Sequence, residues 1–273
     1  FNPDGTVKDP TRTFFVQDDW GTADVTTFDT SNKINMDPND YEWGPANNLL
    51  AKDDMQNIGA HFAFEGPNET GDLWCVFAAD RQVVNGDSYI DFEFLQESLT
   101  MTGTTSGGFI SMGLDGGRTL NDLLVTLIFT NGGDAATVQI RTWQLTNKGF
   151  KYVLVENPED VYAGQIYATN NGVVTDVPFD VYGTDPGTYE VNQWAEGAVN
   201  LTELLDFGTN PCAKLSSVFV RTKTSQSPSA ELKDFPGIIQ LNISLKPDID
   251  PLENVTQCSD EPPYVLPVIT GTK

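Results

Sequence analysis

In the stretch Tyr89-Ile90-Asp91-Phe92-Glu93-Phe94, two carboxylates alternate with apolar residues. Successive side chains of a strand point to opposite faces, so Tyr89, Asp91 and Glu93 share one face while Ile90, Phe92 and Phe94 enter a core. Residues two apart then sit roughly 6.5 to 7 Å apart on that face, and a retaining glycosidase needs two carboxyls about 5 to 5.5 Å apart flanking the bond. The same alternation also describes an ordinary half-buried strand with solvated acids. Outward placement of Asp91 and Glu93 is therefore the expectation here.

Cation binding is a second chemistry. Asp18-Asp19, Asp53-Asp54, Asp80, Asp87, Asp115 before Gly116-Gly117, and Asp134 stand in or beside loops rich in Asp, Asn and Gly. Calcium takes about six to eight oxygens from carboxylates, amides and backbone, which such loops can supply at the rim of a sandwich. No stretch has the regular calcium-loop spacing, and Lys52-Asp53 and Asp80-Arg81 also suit local ion pairs.

Sugar stacking is a third. Among 5 tryptophans and 8 tyrosines, Trp74 and Trp143 sit by apolar neighbours and read as core or cross-strand packing. Trp20 and Trp43 lie in polar segments, and with Asp91 and Glu93 as polar partners they are the candidate carbohydrate-binding residues. The one histidine, His61, alternates with Phe62 and Phe64 and reads as a hydrogen-bonded structural residue. A single imidazole excludes multi-histidine zinc sites. Of the 3 cysteines, Cys75 lies mid-strand and reads as a buried thiol. Cys212 and Cys258, in loop and tail context, are expected to form a disulfide, which agrees with an oxidising extracellular setting.

With 39 Asp and Glu against 15 Lys and Arg, the formal charge of −24 repels phosphate backbones and anionic lipid, so nucleic acid is not an expected partner. The longest apolar run, Leu123 to Phe129, is strand-sized, and no membrane insertion is expected.

The elements that must position these residues are strands. Runs rich in β-branched and aromatic residues recur between Gly, Asn and Asp clusters: Ile58 to Phe64, Leu73 to Ala79, Tyr89 to Leu95, Phe109 to Met112, Leu123 to Phe129, Thr137 to Trp143, Lys151 to Val155, Leu215 to Arg221 and Ile238 to Leu245. Asn85-Gly86 and Asn131-Gly132-Gly133 are hairpin signals between neighbouring runs. One short helix is expected over Asn200 to Leu205, with Asn200 as its cap. Residues 246–273 carry five prolines and read as an extended linker or arm, with an apolar strand-like segment at Tyr264 to Thr270.

Four segments, in order, carry a resemblance: KDDMQNIGAHFAF; DLWCVFAADR with NGDSYIDFEFLQ; NDLLVTLIFTNGGDAATVQIRTW; and WAEGAVNLTELLDF followed by CAKLSSVFVRTKTSQSPSAELKDF. Together they resemble a family of bacterial extracellular modules found in long cell-surface and gliding-adhesin-like proteins, over roughly residues 12 to 245. The resemblance implies a jelly-roll sandwich displayed on the cell surface, without an established catalytic activity or residues of assigned role. Asp53, Asp54 and Asp80 are the calcium candidates because they stand inside the family-like segments. The strand at Tyr89 also resembles the Glu-x-Asp-x-Glu motif of jelly-roll retaining glycoside hydrolases, in which the first Glu is the nucleophile and the last the acid/base. Tyr89 holds the nucleophile's place, which argues against an enzyme.

The sequence thus predicts an all-β, two-sheet antiparallel jelly-roll sandwich with long loops and one short helix. An extended N-terminal arm spans 1–11, the sandwich 12–245 and the proline-rich arm 246–273. The expected role is a non-catalytic extracellular adhesive or structural module, a filament subunit if Tyr264 to Thr270 exchanges as a strand with neighbouring subunits. The alternative is a calcium-assisted glycan-binding domain.

Overall fold

A computed structural model describes residues 2, 6–29, 31–45, 49–66, 71–129, 136–177, 187–205 and 214–244. The proposed disulfide partners Cys212 and Cys258, Asp134, and the whole arm 246–273 with Tyr264 to Thr270 lie outside the described residues.

The fold is all-β, and every strand pairing within its sheets is antiparallel. A five-stranded sheet runs in the order β1 (Thr13–Gln17), β4 (Asn57–Phe64), β5 (Leu73–Asp80), β15 (Trp194–Asn200) and β12 (Ile166–Asn170). A six-stranded sheet runs β11 (Gly149–Leu154), β10 (Thr137–Thr146), β9 (Leu123–Phe129), β6 (Ser88–Leu95), β16 (Lys214–Lys223) and β17 (Gly237–Ser244). A four-stranded sheet runs β2 (Thr27–Phe28), β3 (Glu42–Gly44), β8 (Gly107–Ser111) and β7 (Leu99–Met101), and β13 (Thr175–Asp176) pairs with β14 (Thr188–Tyr189).

The five- and six-stranded sheets pack face to face through the alternate residues that the strand period assigns to one side. Ile58, Ala60 and Phe62 meet Cys75, Phe77, Phe92, Phe94, Val125 and Val218 in one core, with the Phe77 and Phe92 rings 4.4 Å apart. The helix at Leu201–Leu204 closes one end of this core with Leu201 and Leu204, and the Asn200 side chain accepts the Glu203 amide, as its capping role requires. A further one-turn helix, Pro158–Val161, was not expected.

Two expectations are corrected. Leu73–Asp80 and Ser88–Leu95 are not a hairpin: Gly86 takes the left-handed conformation of a turn at φ +83°, but the chain crosses there from one sheet to the other. Nor are there only two layers. The four-stranded sheet covers the outer face of the six-stranded one through a second core in which Phe28, Phe109 and Phe235 pack on Phe219.

Candidate functional site

The third layer decides the fate of Asp91 and Glu93. The alternation is as expected, with Ile90, Phe92 and Phe94 in the main core, yet Asp91 and Glu93 are both fully buried on the opposite face. Strand register sets Arg221 opposite Asp91 and Phe219 opposite Glu93, and every ionic partner comes from within the covered layer. The Glu93 carboxylate accepts from Arg118 Nε at 2.6 Å, from Tyr152 OH at 2.6 Å and from Arg221 Nη1. Burial alone raises its pKa, but the Arg118 and Arg221 charges and these hydrogen bonds outweigh it and hold the group near about 2. Asp91 pairs with Lys223 and accepts from Thr126 Oγ1 at 2.6 Å. Burial lowers the Lys223 pKa to about 8 despite that partner. Neither acid faces solvent, so neither can flank a glycosidic bond or join a carbohydrate-binding face.

The aspartates nominated for calcium also separate. Both oxygens of Asp80 are occupied, Oδ1 by the amides of Gln56 and Asn57 at 2.8 and 2.9 Å, Oδ2 by Asn57 Nδ2 at 2.6 Å and Tyr189 OH at 2.9 Å. That carboxylate ties the start of β4 to the end of β5. Asp53 Oδ1 is 3.1 Å from Lys52 Nζ. Only Asp54 joins an acidic pocket, and its companions are Asp18, Asp24 and Asp234. Asp18, Asp24 and Asp234 each present an oxygen within 4.8 Å of the others. Asp54 is near enough that its charge raises the Asp234 pKa.

Local structure fixes this pocket from four chain segments. Asp18 directly follows β1, and its amide donates to Gln56 O at 2.7 Å. Asp24 ends the 3-10 turn Gly21–Ala23 and accepts the Thr26 amide at 2.7 Å through Oδ1. Asp54 Oδ2 accepts the Gly21 amide at 2.9 Å, and Asp234 Oδ2 accepts the Met55 amide at 2.7 Å. The remaining oxygens, Asp24 Oδ2, Asp54 Oδ1 and Asp234 Oδ1, are buried without a donor. Burial raises all four pKa values, to about 6 for Asp18 and about 7 for Asp54, and neighbouring carboxylate charges push the same way, while a hydrogen bond with Asp234 draws Asp24 partly back.

Of the nominated aromatics, Trp43 is 4% exposed and donates Nε1 to Thr102 O at 3.0 Å, so it floors a shallow groove of about 550 Å³ without offering a ring face. Trp20 is half-buried, with Nε1 turned inside. Among the described residues the exposed aromatic is Tyr167, on the outer face of the five-stranded sheet, where Phe15, Trp74 and Trp194 are half-buried. One row across this sheet reads Phe15, Gly59, Ala78, Glu196, Thr169, and the next Thr13, His61, Val76, Ala198, Tyr167. The small side chains at Gly59 and Ala78 leave a trough of about 170 Å³ between Phe15 and Trp194. It continues past Trp194 and Glu196 into a second groove of about 330 Å³ beside Tyr189 and Asn171. Trp194 Nε1 is anchored on Glu196 at 3.0 Å, and Trp74 Nε1 on Glu65 at 2.6 Å. The Trp74 and Tyr167 rings sit 6.1 Å apart at 31°. His61 lies in the same face, its Nδ1 2.8 Å from Thr13 Oγ1. Alternation in Trp194-Ala-Glu-Gly-Ala-Val-Asn200 was the available signal for this face, weakened by the low strand preference of Gly and Ala.

In comparisons with known proteins, the chain matches no family model, no curated protein and no solved structure. Among the described residues, no helix is long and apolar enough to cross a membrane.

Proposed function

We propose that the chain is a non-catalytic extracellular module of a cell-surface protein or surface assembly, a jelly-roll sandwich serving adhesion, whose binding surface is the outer face of the five-stranded sheet and whose ligand is a glycan chain. The carrying observation is the trough floored by Gly59 and Ala78 and walled by Phe15 and Trp194, with Glu196 and His61 beside it. Sugars present apolar C–H faces ringed by hydroxyls. A groove with a few aromatic walls and a few carboxylate and amide partners complements both. The jelly-roll reading of the topology goes with this proposal and draws support from the crossing of β5 to β6 between opposing sheets. A glycoside hydrolase is disfavoured because Asp91 and Glu93, the carboxylates it would use, are closed inside an ion-paired layer.

The test is a glycan array followed by a polysaccharide pull-down with the full chain. Saturable binding that drops at least tenfold in both Trp194→Ala and Gly59→Leu, with unchanged Tm, supports the reading. A Cβ at Gly59 meets nothing closer than 3.8 Å, so a side chain can start from there without a backbone clash and project into the trough. Binding to no glycan, or binding that both variants retain, overturns it.

A further inference from the structure

The acidic pocket beneath the turn Gly21–Ala23 is a different site from the aromatic trough and poses its own chemical problem. Asp24 and Asp234 are 1% and 0% exposed, and each turns one oxygen toward the other carboxylates with no N–H or O–H donor to meet it. Asp54, 1% exposed, also has a buried Oδ1 that meets no donor. Unmatched buried anions are among the most costly arrangements in a folded protein. Asp24 and Asp234 come within hydrogen-bonding reach of each other, so something must stand between them, either a shared proton or a cation.

We propose that Asp18, Asp24 and Asp234, with the Asp54 carboxylate beside them, bind one calcium ion that joins the three sheets of the fold. The donor set is all oxygen and all carboxylate, which suits a hard cation. The oxygens that Asp18, Asp24 and Asp234 present lie within 4.8 Å of one another and can be bridged by an ion about 2.3 to 2.6 Å from each, the calcium range. Magnesium demands a tighter octahedron and gives up its waters reluctantly, so a buried cluster of this span discriminates against it. Asp24 and Asp234 each have one oxygen held by a backbone amide, which leaves the other free for the ion, whereas Asp18 accepts from the Asp19 amide and from Thr26 Oγ1 and would meet the ion through a remaining lone pair.

The placement also gives the ion a role. Asp18 and Asp54 flank β1 and β4 in the five-stranded sheet, and Asp24 leads into β2 of the four-stranded sheet. Asp234 bridges to Thr27 of β2 and exchanges hydrogen bonds with Thr222 of β16, in the six-stranded sheet. One ion would therefore close long loops of chain at a seam where all three layers meet, stabilising the folded state through binding.

The test uses the full chain after treatment with chelator. Calcium chloride and magnesium chloride are titrated separately, by calorimetry and by thermal unfolding. The expected result is one calcium per chain, at least tenfold weaker magnesium binding, and a Tm rise of roughly 5 to 10 °C at calcium about 100-fold above Kd. Asp24→Asn and Asp234→Asn should each weaken calcium binding at least tenfold. In chelator they should melt no lower than wild type, because each removes a charge from a crowded cluster; a purely structural carboxylate would instead lower Tm. Asp18→Asn, at a less buried position, serves the same purpose if either buried variant fails to accumulate. Exposed Asp160→Asn should leave binding unchanged. Absence of a calcium-dependent heat and Tm shift in the wild type overturns the proposal, and so does calcium binding undiminished in the pocket variants. Both results leave the trough's glycan test untouched.

Discussion

Replacing Glu93 by Gln removes the anion at the centre of the layer between the six- and four-stranded sheets. Its pKa stands at about 2 against an ordinary 4.5, a difference that at about 1.4 kcal/mol per unit corresponds to roughly 3 kcal/mol of charge stabilisation. The variant also leaves the buried guanidiniums of Arg118 and Arg221 without their anion, and breaking a buried pair from one side costs about 3 to 5 kcal/mol. The expected loss is therefore about 3 to 5 kcal/mol, or roughly 6 to 20 °C in Tm for a domain of this size. Urea unfolding followed by tryptophan fluorescence measures it, with m-values compared to confirm that the unfolded state is unchanged. The sign with pH is fixed. A depressed carboxyl stabilises the fold above the unfolded pKa, and that contribution disappears as pH falls through 4.5 towards 2. The wild-type and Glu93→Gln curves should converge over that interval. A loss below about 1 kcal/mol at pH 7, or a gap unchanged between pH 6 and 3, would refute the buried-network account and restore a solvated strand face.

Asp122, 0% exposed and accepting from the amides of Gln96 and Thr119, is pushed by burial to about 7, so its stabilising proton is fully held below about pH 4 and lost as pH rises through 7. Between pH 5 and 8.5 the wild type should lose more Tm than Asp122→Asn, and parallel curves would contradict that assignment. Gly197→Ala places a Cβ 2.5 Å from the Phe77 ring, which is already packed on Phe92, and should cost roughly 1 to 3 kcal/mol in urea unfolding; a smaller loss would mean that the ring has room to move. Cys75 is fully buried with its pKa raised by that burial, so a thiol reagent should label it only on unfolding, and rapid labelling in native buffer would disprove its enclosure.

The sequence was most legible where a single period dominates. Leu123–Phe129 is a strand over the very residues its apolar run marks, and Asn200 caps Leu201–Leu204 as its spacing with Glu203 implies. It was misleading where burial depends on a partner far along the chain. Asp91 and Glu93 look solvated because polar residues at alternate positions usually are, and nothing local reveals that Phe28, Phe109 and Phe235 close over them. A signal existed in the cations: Phe219, Arg221 and Lys223 alternate on β16, in a chain so poor in basic residues that two on one strand face ask for buried acids. The acidic pocket had no comparable signal. Asp18, Asp24, Asp54 and Asp234 converge only because three sheets meet there, and carboxylate clustering of that kind leaves no spacing to read.

Strand β6 has all eight residues buried and is hydrogen-bonded along both sides, to β9 and β16, with a sheet packed over each of its faces. Its amides cannot meet solvent by fraying, since every route to them requires neighbouring strands or a whole layer to come away. In deuterated buffer these amides should exchange last and at a rate set by global unfolding, whereas the edge strands β1 and β12 open locally and exchange early. Such a strand is also the least editable part of the molecule. Drift at Glu93 would have to be matched by changes at Arg118 and Arg221, and drift at Phe92 by changes at Phe77, so variation here should arrive in concerted sets rather than singly.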